Sequence, residues 1–350
     1  MNRTLVDRIV NAVLYEGYVL YPYRPSVKNR QRWTFGGLYP EAYCKAQGGS
    51  DAAANRTECL VHGTAGSALD VVVRFLHLTE RVVGELLSPL AEWPDRTEPA
   101  FRPIESLRIG EQVFHPWQEA EERRVDLSGV VLGDILRQPL RRTFTVPGRR
   151  WLEPLRGPDG TAVGVLVRRQ EAIAGSVEAA AVPVSDGLFK VTLRVANETP
   201  TADTGRDAVL LQSLVSTHAV LGIRQGAFVS LLDPPPPWRE AAAACRNVGV
   251  WPVLVGEEGD RDTLLSSPII LYDYPQVAPE SPGDLFDATE IDEILTLRIL
   301  TLTEEEKRAA AGLDGRAKAL LARTEALARE QLLGLHGTVR GLRPLPGGDA

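Results

Sequence analysis

The stretch VEAAAVPVSDGLFKVTLRV, residues 177–195, gives the clearest indication of how this chain folds. In its second half apolar and polar side chains alternate, with the apolar ones at Phe189, Val191, Leu193 and Val195. The pair Asp186-Gly187 separates the two halves, and Asp-Gly between two apolar runs is a strong signal of a β-hairpin. The stretch therefore predicts two antiparallel strands with one face in water.

Similar patterns on both sides extend the predicted sheet. Asp159-Gly160 lies between two apolar runs and predicts a second hairpin, and residues 224–226 (Arg-Gln-Gly) predict a third turn. Residues 69–83 are rich in Val, Phe and Leu and contain no Gly or Pro, which favours a further strand. We therefore expect a β-rich α+β protein with an antiparallel, sandwich-like body.

The predicted organisation has four parts. Residues 1–45 contain a short helix and an aromatic and basic segment, and residues 57–255 form the β-rich body. The body includes an Ala-rich helix over 238–247, after a run of four prolines that would end a strand. Residues 256–335 are an acidic loop with C-terminal helices, and the Gly-rich residues 337–350 are expected to be a flexible tail.

An amphipathic pattern predicts the N-terminal helix. Apolar side chains recur at helical spacing, at Val6, Ile9, Val10, Val13 and Leu14. Thr4 and Asp7 have the spacing of a capping box, and Gly17 would end the helix. Because Arg3, Asp7 and Arg8 interrupt the apolar side chains, this segment does not resemble a signal peptide.

Composition excludes several classes of protein. The chain has 350 residues, a net charge of −7 and 44% hydrophobic residues, which is typical of a globular protein that needs no disulfide staple. No apolar run has the roughly 18 residues of a membrane-spanning helix, so no membrane insertion is expected. The three cysteines are few and odd in number, which favours a reducing compartment and predicts a cytoplasmic protein.

Familiar catalytic motifs are missing from the sequence. It contains no Gly-x-Ser-x-Gly elbow, no glycine loop ending in Gly-Lys, no Gly-x-Gly-x-x-Gly and no His-Glu-x-x-His. Serine hydrolase, nucleotide hydrolase, dinucleotide oxidoreductase and zincin functions therefore lose their main support. This result favours a non-catalytic protein, although residues that converge only in the fold could still form an active site.

Cys44, Cys59 and His62 are the best candidates for a metal site. Two thiolates and an imidazole suit zinc or iron, and Cys59 and His62 have the spacing of half a site. The other half would be Cys44 alone, which is poor spacing. The alternative is that both cysteines fill apolar space and that His62 lies at the surface. No other cofactor is predicted.

The segment from residue 18 to residue 43 combines aromatic and basic side chains. Those we expect to contact a partner are Tyr21, Tyr23, Arg24, Lys28, Arg30, Arg32 and Trp33. Such residues anchor protein interfaces, but they could also bind a polyanion or nucleic acid by stacking and charge. A third alternative is a small aromatic core. The acidity of the whole chain makes nucleic acid the least favoured partner.

A second predicted contact patch lies in the acidic region. It consists of Tyr272, Tyr274, Asp284, Phe286 and Asp287. If the backbone is extended here, Tyr272 and Tyr274 point the same way because strand side chains alternate. Such a pair would suit a pocket or an interface.

Charge is unevenly distributed along the chain. Residues 257–306 contain fourteen acidic and two basic residues, a local charge of −12 that leaves +5 for the rest. A basic tract precedes this acidic region in the sequence. It is formed by Arg137, Arg141, Arg142, Arg149, Arg150, Arg156, Arg168 and Arg169. Either the acidic region folds against basic parts of the same chain, or the two bind different partners.

Two long strings resemble a known family. Residues 15–40 (YEGYVLYPYRPSVKNRQRWTFGGLYP) and 268–307 (PIILYDYPQVAPESPGDLFDATEIDEILTLRILTLTEEEK) are similar to an uncharacterised accessory protein family encoded near bacterial nickel-iron uptake hydrogenases. The turn at 233–238 fits the same family. The resemblance implies a protein partner, either a hydrogenase subunit or a maturation factor, and carries over no catalytic motif.

The sequence therefore predicts a non-catalytic accessory or assembly protein that supports hydrogenase maturation or complex formation through protein contacts. One alternative is a metal-binding enzyme or a metal or cofactor carrier that uses Cys44, Cys59 and His62. A second alternative is a polyanion or nucleic-acid binder that uses residues 24–32.

Overall fold

A computed structural model describes residues 6–11, 13–14, 36–49, 51–94, 97–276 and 322. The described helices are α1 (residues 6–11 and 13–14), α2 (Glu41–Gln47), α3 (Leu132–Arg137), α4 (Arg206–Leu210) and α5 (Arg239–Ala243). The strands are β1 (Ala54–Leu90), β2 (Phe101–Ile104), β3 (Leu107–Ile109), β4 (Gln112–Phe114), β5 (Trp117–Val131), β6 (Leu140–Val146), β7 (Arg149–Arg156), β8 (Ala162–Gln170), β9 (Ile173–Ser185), β10 (Leu188–Asn197), β11 (Val215–Val229), β12 (Trp251–Leu254) and β13 (Thr263–Ser267).

Most of the strands belong to one large antiparallel sheet built around β1, which is 37 residues long. The main order of the sheet is β12-β13-β11-β1-β10-β9-β6. The strands β2, β5 and β8 also pair with β1, and β7 pairs with β8. The β3 and β4 strands form a small sheet of their own. The predicted β-rich antiparallel body is confirmed.

Two of the predicted hairpins are confirmed. The β7 and β8 strands pair on either side of Asp159-Gly160, and β9 and β10 pair on either side of Asp186-Gly187. Gly160 and Gly187 have φ of 82° and 67°, a left-handed conformation that glycine adopts without steric cost.

The turn predicted at residues 224–226 is wrong, because β11 runs through these residues without reversing. Its pairing with β1 breaks between Gly63 and Ala68 of β1, where extra residues form a bulge. The Ser67 hydroxyl accepts a hydrogen bond from Thr64 N–H at 3.0 Å and donates one to the Gln225 carbonyl. With Gln225 at φ 56°, the two strands bend together instead of forming a hairpin.

The bend produces the sandwich-like arrangement. The first part of β1 lies with β10, β9 and β6, and its middle part lies between β5 and β11. The apolar faces of these two layers form the main core. The Phe75 and Phe144 rings meet across it with centroids 5.7 Å apart, and the hydroxyls of Thr57 and Ser266 lie 2.5 Å apart.

Helices cover the outer face of the layer that contains β5, β11 and the middle part of β1. The α1 residues Val6, Ile9, Val10 and Val13 are buried against Val253, Val255, Leu265 and Leu271. The predicted amphipathic helix is therefore confirmed in its described part. A hydrogen bond adds to this packing, since the Arg74 guanidinium of β1 donates to the Asn11 side-chain oxygen at 2.6 Å.

The helix predicted over 238–247 is shorter than expected. A 3-10 turn over Pro236–Trp238 leads into α5, which ends at Ala243. The next residues are bonded to β1 instead: Arg246 N–H donates to the Glu58 carboxylate at 2.7 Å, and Val248 N–H donates to the Arg56 carbonyl at 2.8 Å. These bonds need an extended backbone, so the helix cannot continue.

The other predicted parts lie mostly outside the described residues. These include the aromatic and basic segment up to residue 35, the C-terminal helices after residue 276 and the tail over 337–350. Within the described part of the chain, no helix combines the length and apolarity needed to span a membrane.

Candidate functional site

The structure does not bring the three predicted metal ligands together. Cys59 is buried in the main core, whereas His62, three residues later on β1, points to the other face and lies exposed against Trp238, with ring centroids 5.1 Å apart. Cys44 lies on α2, where its thiol is 3.8 Å from the Tyr39 carbonyl. Among the described residues, no group of three or more His, Cys, Asp or Glu side chains is placed to hold a metal ion.

The cysteines are not activated as nucleophiles. Burial raises the pKa of the Cys59 thiol well above its usual range, and burial also raises that of Cys44. For Cys245, burial and then the nearby Glu58 carboxylate raise the pKa to about 11. Because the thiolate is the reactive form, these raised pKa values make all three thiols less reactive near neutral pH.

The predicted contact residues are only partly within the described chain. Tyr21, Tyr23, Arg24, Lys28, Arg30, Arg32 and Trp33 lie outside it, as do Asp284, Phe286 and Asp287. Of the second patch, the structure describes Tyr272 and Tyr274.

Tyr272 and Tyr274 do not point the same way, contrary to the expectation for an extended segment. Tyr274 has φ of 56°, packs against the main core and donates its hydroxyl to the Asp260 carbonyl at 2.9 Å. Tyr272 is 85% exposed. The positive φ rotates one ring inward and leaves the other in solvent.

Tyr272 is one of four exposed apolar side chains on β12 and on the two segments linked to it by hydrogen bonds, a set that we call the apolar patch. Its members are Leu232, Trp251, Ile270 and Tyr272, all of which the structure leaves exposed. Trp251 begins β12 and pairs with Ser267, the last residue of β13. After Ser267 the chain runs back beside β12, and Tyr274 N–H donates to the carbonyl of Leu254, the last residue of β12. Ile270 and Tyr272 lie in the segment between Ser267 and Tyr274.

Asp273 fixes the backbone beneath the apolar patch. Its carboxylate accepts hydrogen bonds from Leu254 N–H at 2.8 Å and from the Ser230 hydroxyl at 2.5 Å. Ser230 in turn accepts one from Leu232 N–H at 3.1 Å. Leu232 and Tyr272 are therefore tied to β12 through one carboxylate, which holds the patch on a rigid support.

A second candidate site lies on the layer that contains β5 and the later part of β1, beyond the residues that the layer of β10, β9 and β6 covers. Side chains at alternate positions of β1 point to one side, so the face that holds Phe75 in the core continues to Thr79 and Arg81. Neighbouring strands add charged groups to the same face. We call this set the ionic face; it contains Thr79, Arg81, Glu119, Glu121, Arg123, Arg149, Glu153, Arg168 and Gln170.

Glu119 is central to one half of the ionic face. Its carboxylate accepts hydrogen bonds from Arg81 at 3.1 Å and from Arg168 at 2.7 Å. Arg168 also donates to Glu153 at 2.6 Å, and Arg81 donates to the His115 carbonyl at 3.0 Å. The Glu119 carboxylate therefore bonds to guanidinium groups from two strands.

Gln170 is central to the other half. Its side-chain oxygen accepts from Arg123 at 2.9 Å and from Arg149 at 3.0 Å, and its amide donates to Thr79 at 3.0 Å. Glu121 accepts from both arginines. The Arg149 guanidinium also lies 4.5 Å from the Trp151 ring centroid.

His77 lies between Phe75 and Thr79 on the same side of β1 and is fully buried. Burial, together with the nearby Arg123 charge, lowers its pKa to about 4. The imidazole is therefore neutral at pH 7. The carboxylates of the ionic face are bound by arginines of neighbouring strands, so the face forms a network of ion pairs across the sheet.

The basic tract predicted from the sequence is largely neutralised within the sheet. Six of its arginines pair with carboxylates, as Arg137–Asp134, Arg141–Glu198, Arg149–Glu121, Arg150–Glu98, Arg168–Glu119 and Arg169–Glu80. These carboxylates all lie within residues 80–198, so the tract has counter-charges without the acidic region.

A cavity of about 380 Å³ opens where α4 meets β1 and β8. It is lined in part by Glu80, Trp117, Arg169, Asp207 and Leu211. Glu80 and Arg169 pair with each other at 3.1 Å. The lining residues include no thiol, hydroxyl or imidazole, and the acidic groups among them are the carboxylates of Glu80 and Asp207.

Sequence reasoning did not identify the ionic face. The available signal was alternation, because Glu119, Glu121 and Arg123 occupy every second position of β5. This pattern is also typical of a solvated strand face, so the sequence could not distinguish the two.

Comparison with known proteins does not assign the chain to a family. No protein-family model matches it, and no curated protein matches it.

Proposed function

We propose that this protein is a non-catalytic accessory protein that binds a protein partner through the apolar patch. The resemblance of residues 15–40 and 268–307 to the hydrogenase-associated family suggests the partner: a subunit or maturation factor of a nickel-iron uptake hydrogenase. Three free thiols, none of them activated, suit the reducing cytoplasm in which such assembly would take place.

The exposure of large apolar side chains on a fixed backbone is the observation that supports this proposal. Ile270 is 71% exposed and Tyr272 is 85% exposed, and Trp251 lies at the start of the neighbouring strand. Burying one such side chain stabilises a complex by about 1.5–3 kcal/mol. Tyr and Trp are also the residue types most often found as interface hot spots.

The support beneath the patch makes binding less costly. Asp273 and Tyr274 anchor the backbone directly after Tyr272 through bonds to Leu254, which lowers the conformational entropy lost there when a partner binds. The lack of an activated thiol and the paired carboxylates of the ionic face agree with a role that needs no catalysis.

The experiment is affinity capture from the native host with the full chain as bait, followed by mass spectrometry. We expect a hydrogenase subunit or maturation factor among the captured proteins. The double variant Ile270→Ala/Tyr272→Ala should weaken that interaction by about 10- to 100-fold, as expected for a hot-spot residue.

The matched control is Leu87→Ala, because Leu87 is 68% exposed but lies on β1, away from the patch. This variant should bind like the wild type. Equal binding by the double variant and the wild type would refute the role of the patch. Capture without any hydrogenase component would refute the proposed partner.

A further inference from the structure

The outer edge of β6 offers backbone groups for pairing. Ala174 of β9 uses its carbonyl to accept from Glu198 N–H at 2.9 Å, and its own N–H donates to Thr199, so both groups point away from β6. Thr145 is paired with Ala174. In an antiparallel ladder its N–H and C=O must therefore point outward.

Every second residue of β6 directs its backbone N–H and C=O groups outward in the same way. The pairing of β6 with β9 runs from Leu140 to Val146 without a register shift, so Arg141 and Thr143 also direct their backbone groups outward. Arg141, Thr143 and Thr145 are all exposed, and no described residue hydrogen-bonds to their backbone. Within the described part of the chain, this edge is therefore an exposed row of backbone N–H and C=O groups without hydrogen-bond partners.

The opposite edge of the sheet is closed. On β12, Leu254 directs its backbone outward, but its N–H donates to Asp273 and its carbonyl accepts from Tyr274 N–H. The other outward position is Pro252, which has no N–H. Natural proteins block edges in these ways to prevent unwanted pairing, and β6 contains neither device.

Charge protects β6 only weakly. Arg141 would normally repel a second strand, but its guanidinium is bound to the Glu198 carboxylate at 2.7 Å. Arg142 lies on the other face of the strand, with Phe144, and its side chain is exposed and forms no ion pair with a described residue. The face that carries Arg141, Thr143 and Thr145 is therefore close to neutral, and Arg142 is the one unpaired charge on the described strand.

We propose that two copies of the chain pair through their β6 edges, with Thr143 opposite Thr143 on the two-fold axis. In this antiparallel register Arg141 of one copy lies opposite Thr145 of the other, so no like charges face each other. Thr opposite Thr is a favourable cross-strand pair. A register centred on Arg142 would place two arginines opposite each other.

The proposed pairing is independent of the proposed partner function, because β6 and β12 are at opposite ends of the sheet order. It continues one antiparallel sheet across two copies and leaves the apolar patch exposed. The dimer would therefore be symmetric and would present two copies of that patch.

The first test is sedimentation velocity of the full chain over a concentration series. The wild type should show a concentration-dependent dimer. Thr143→Pro removes one outward N–H without removing a bond to β9, and should weaken the dimer by at least 10-fold. The control Thr143→Val keeps the N–H and should behave like the wild type.

Thermal unfolding must show that Thr143→Pro is folded. A monomeric wild type at all concentrations, or a folded Thr143→Pro variant that dimerises like the wild type, would overturn the proposal.

The second test is disulfide trapping, which does not depend on a proline. In a hydrogen-bonded antiparallel pair the Cα atoms are about 5.5 Å apart, within the range of a disulfide. Thr143→Cys should therefore form a covalent dimer under mild oxidation. In Thr145→Cys the two new thiols would be about 14 Å apart along the strands and should not bridge.

A non-reducing gel, with the wild type as the control for its own cysteines, measures the outcome. Equal cross-linking of the two variants, or cross-linking only in a mixture of the two, would contradict the proposed register.

Discussion

Replacing Glu119 with glutamine should destabilise the protein far more than an equivalent change at an exposed ion pair. Glu119 binds the guanidinium groups of Arg81 and Arg168, whose side chains are only 4% and 15% exposed. Glutamine has nearly the same shape and retains one oxygen acceptor, so Glu119→Gln removes the charge with little change in packing.

The size of the effect follows from the burial of the two arginines. Breaking a buried pair by removing one partner costs about 3–5 kcal/mol, because a buried charge is left uncompensated. Two features reduce this cost: the Glu119 side chain is itself 22% exposed, so water can solvate part of the site, and Arg168 keeps its bond to Glu153. We therefore expect a loss of about 2–4 kcal/mol in the free energy of unfolding.

The control is Glu85→Gln. Glu85 pairs with Arg102 at 2.6 Å between two strands of the same sheet, but the Arg102 side chain is 70% exposed. Exposed pairs contribute less than about 1 kcal/mol. Both variants are compared with the wild type by urea unfolding at pH 7, in low salt and in 0.5 M salt.

Added salt should abolish the small effect of Glu85→Gln and leave most of the effect of Glu119→Gln, because buried charges are screened less. A loss below about 1 kcal/mol for Glu119→Gln, or equal losses for both variants, would refute the structural role of the ionic face.

Three other predictions concern pH, packing and the bend. Burial lowers the pKa of His218 from 6.5 to about 4, so the unfolded chain takes up a proton before the folded one and stability should fall as the pH drops from 6.5 to 4. His218→Gln should reduce this slope in unfolding measured at several pH values, and an unchanged slope would contradict the assignment. Gly175→Ala should cost about 1–3 kcal/mol, since its Cβ would lie 2.4 Å from the Phe144 ring and 2.7 Å from a backbone oxygen. The control is Gly205→Ala, with no atom within 4 Å of the new Cβ, which should change stability by less than about 0.5 kcal/mol. Thermal unfolding of both variants measures the difference. Ser67→Ala removes a buried hydroxyl that links β1 to β11 and should cost about 1–3 kcal/mol in urea unfolding, whereas a silent change would show that the bend does not depend on it.

Local signals predicted the local parts of the fold. Asp159-Gly160 and Asp186-Gly187 determine tight turns by the conformations of the residues themselves, and both hairpins are confirmed. The turn predicted at residues 224–226 was wrong because its conformation depends on Ser67, more than 150 residues away. No window of sequence around residue 225 contains that bond.

The candidate sites were harder to predict for the same reason. Arg81, Glu119 and Arg168 come from three strands and meet only in the folded sheet. The sequence predicted that Tyr272 and Tyr274 would point the same way in an extended segment, but Tyr274 has a positive φ and packs against the main core. Periodicity shows which residues of a strand share a face, but it does not show where the opposite layer ends.

The long shared strand also affects the order in which the protein can fold. Leu60 of β1 pairs with Val229 of β11, which is 169 residues further along the chain. At roughly 5–20 residues per second, a ribosome would need about 10–30 s to make that partner after β1 has emerged. Pairings of this sequence separation also fold slowly. The later part of β1 can pair early with β2, β5 and β8, but its first part, which pairs with β10 and β11, must wait as an unpaired segment. We expect a chaperone to bind the nascent chain until β11 is complete.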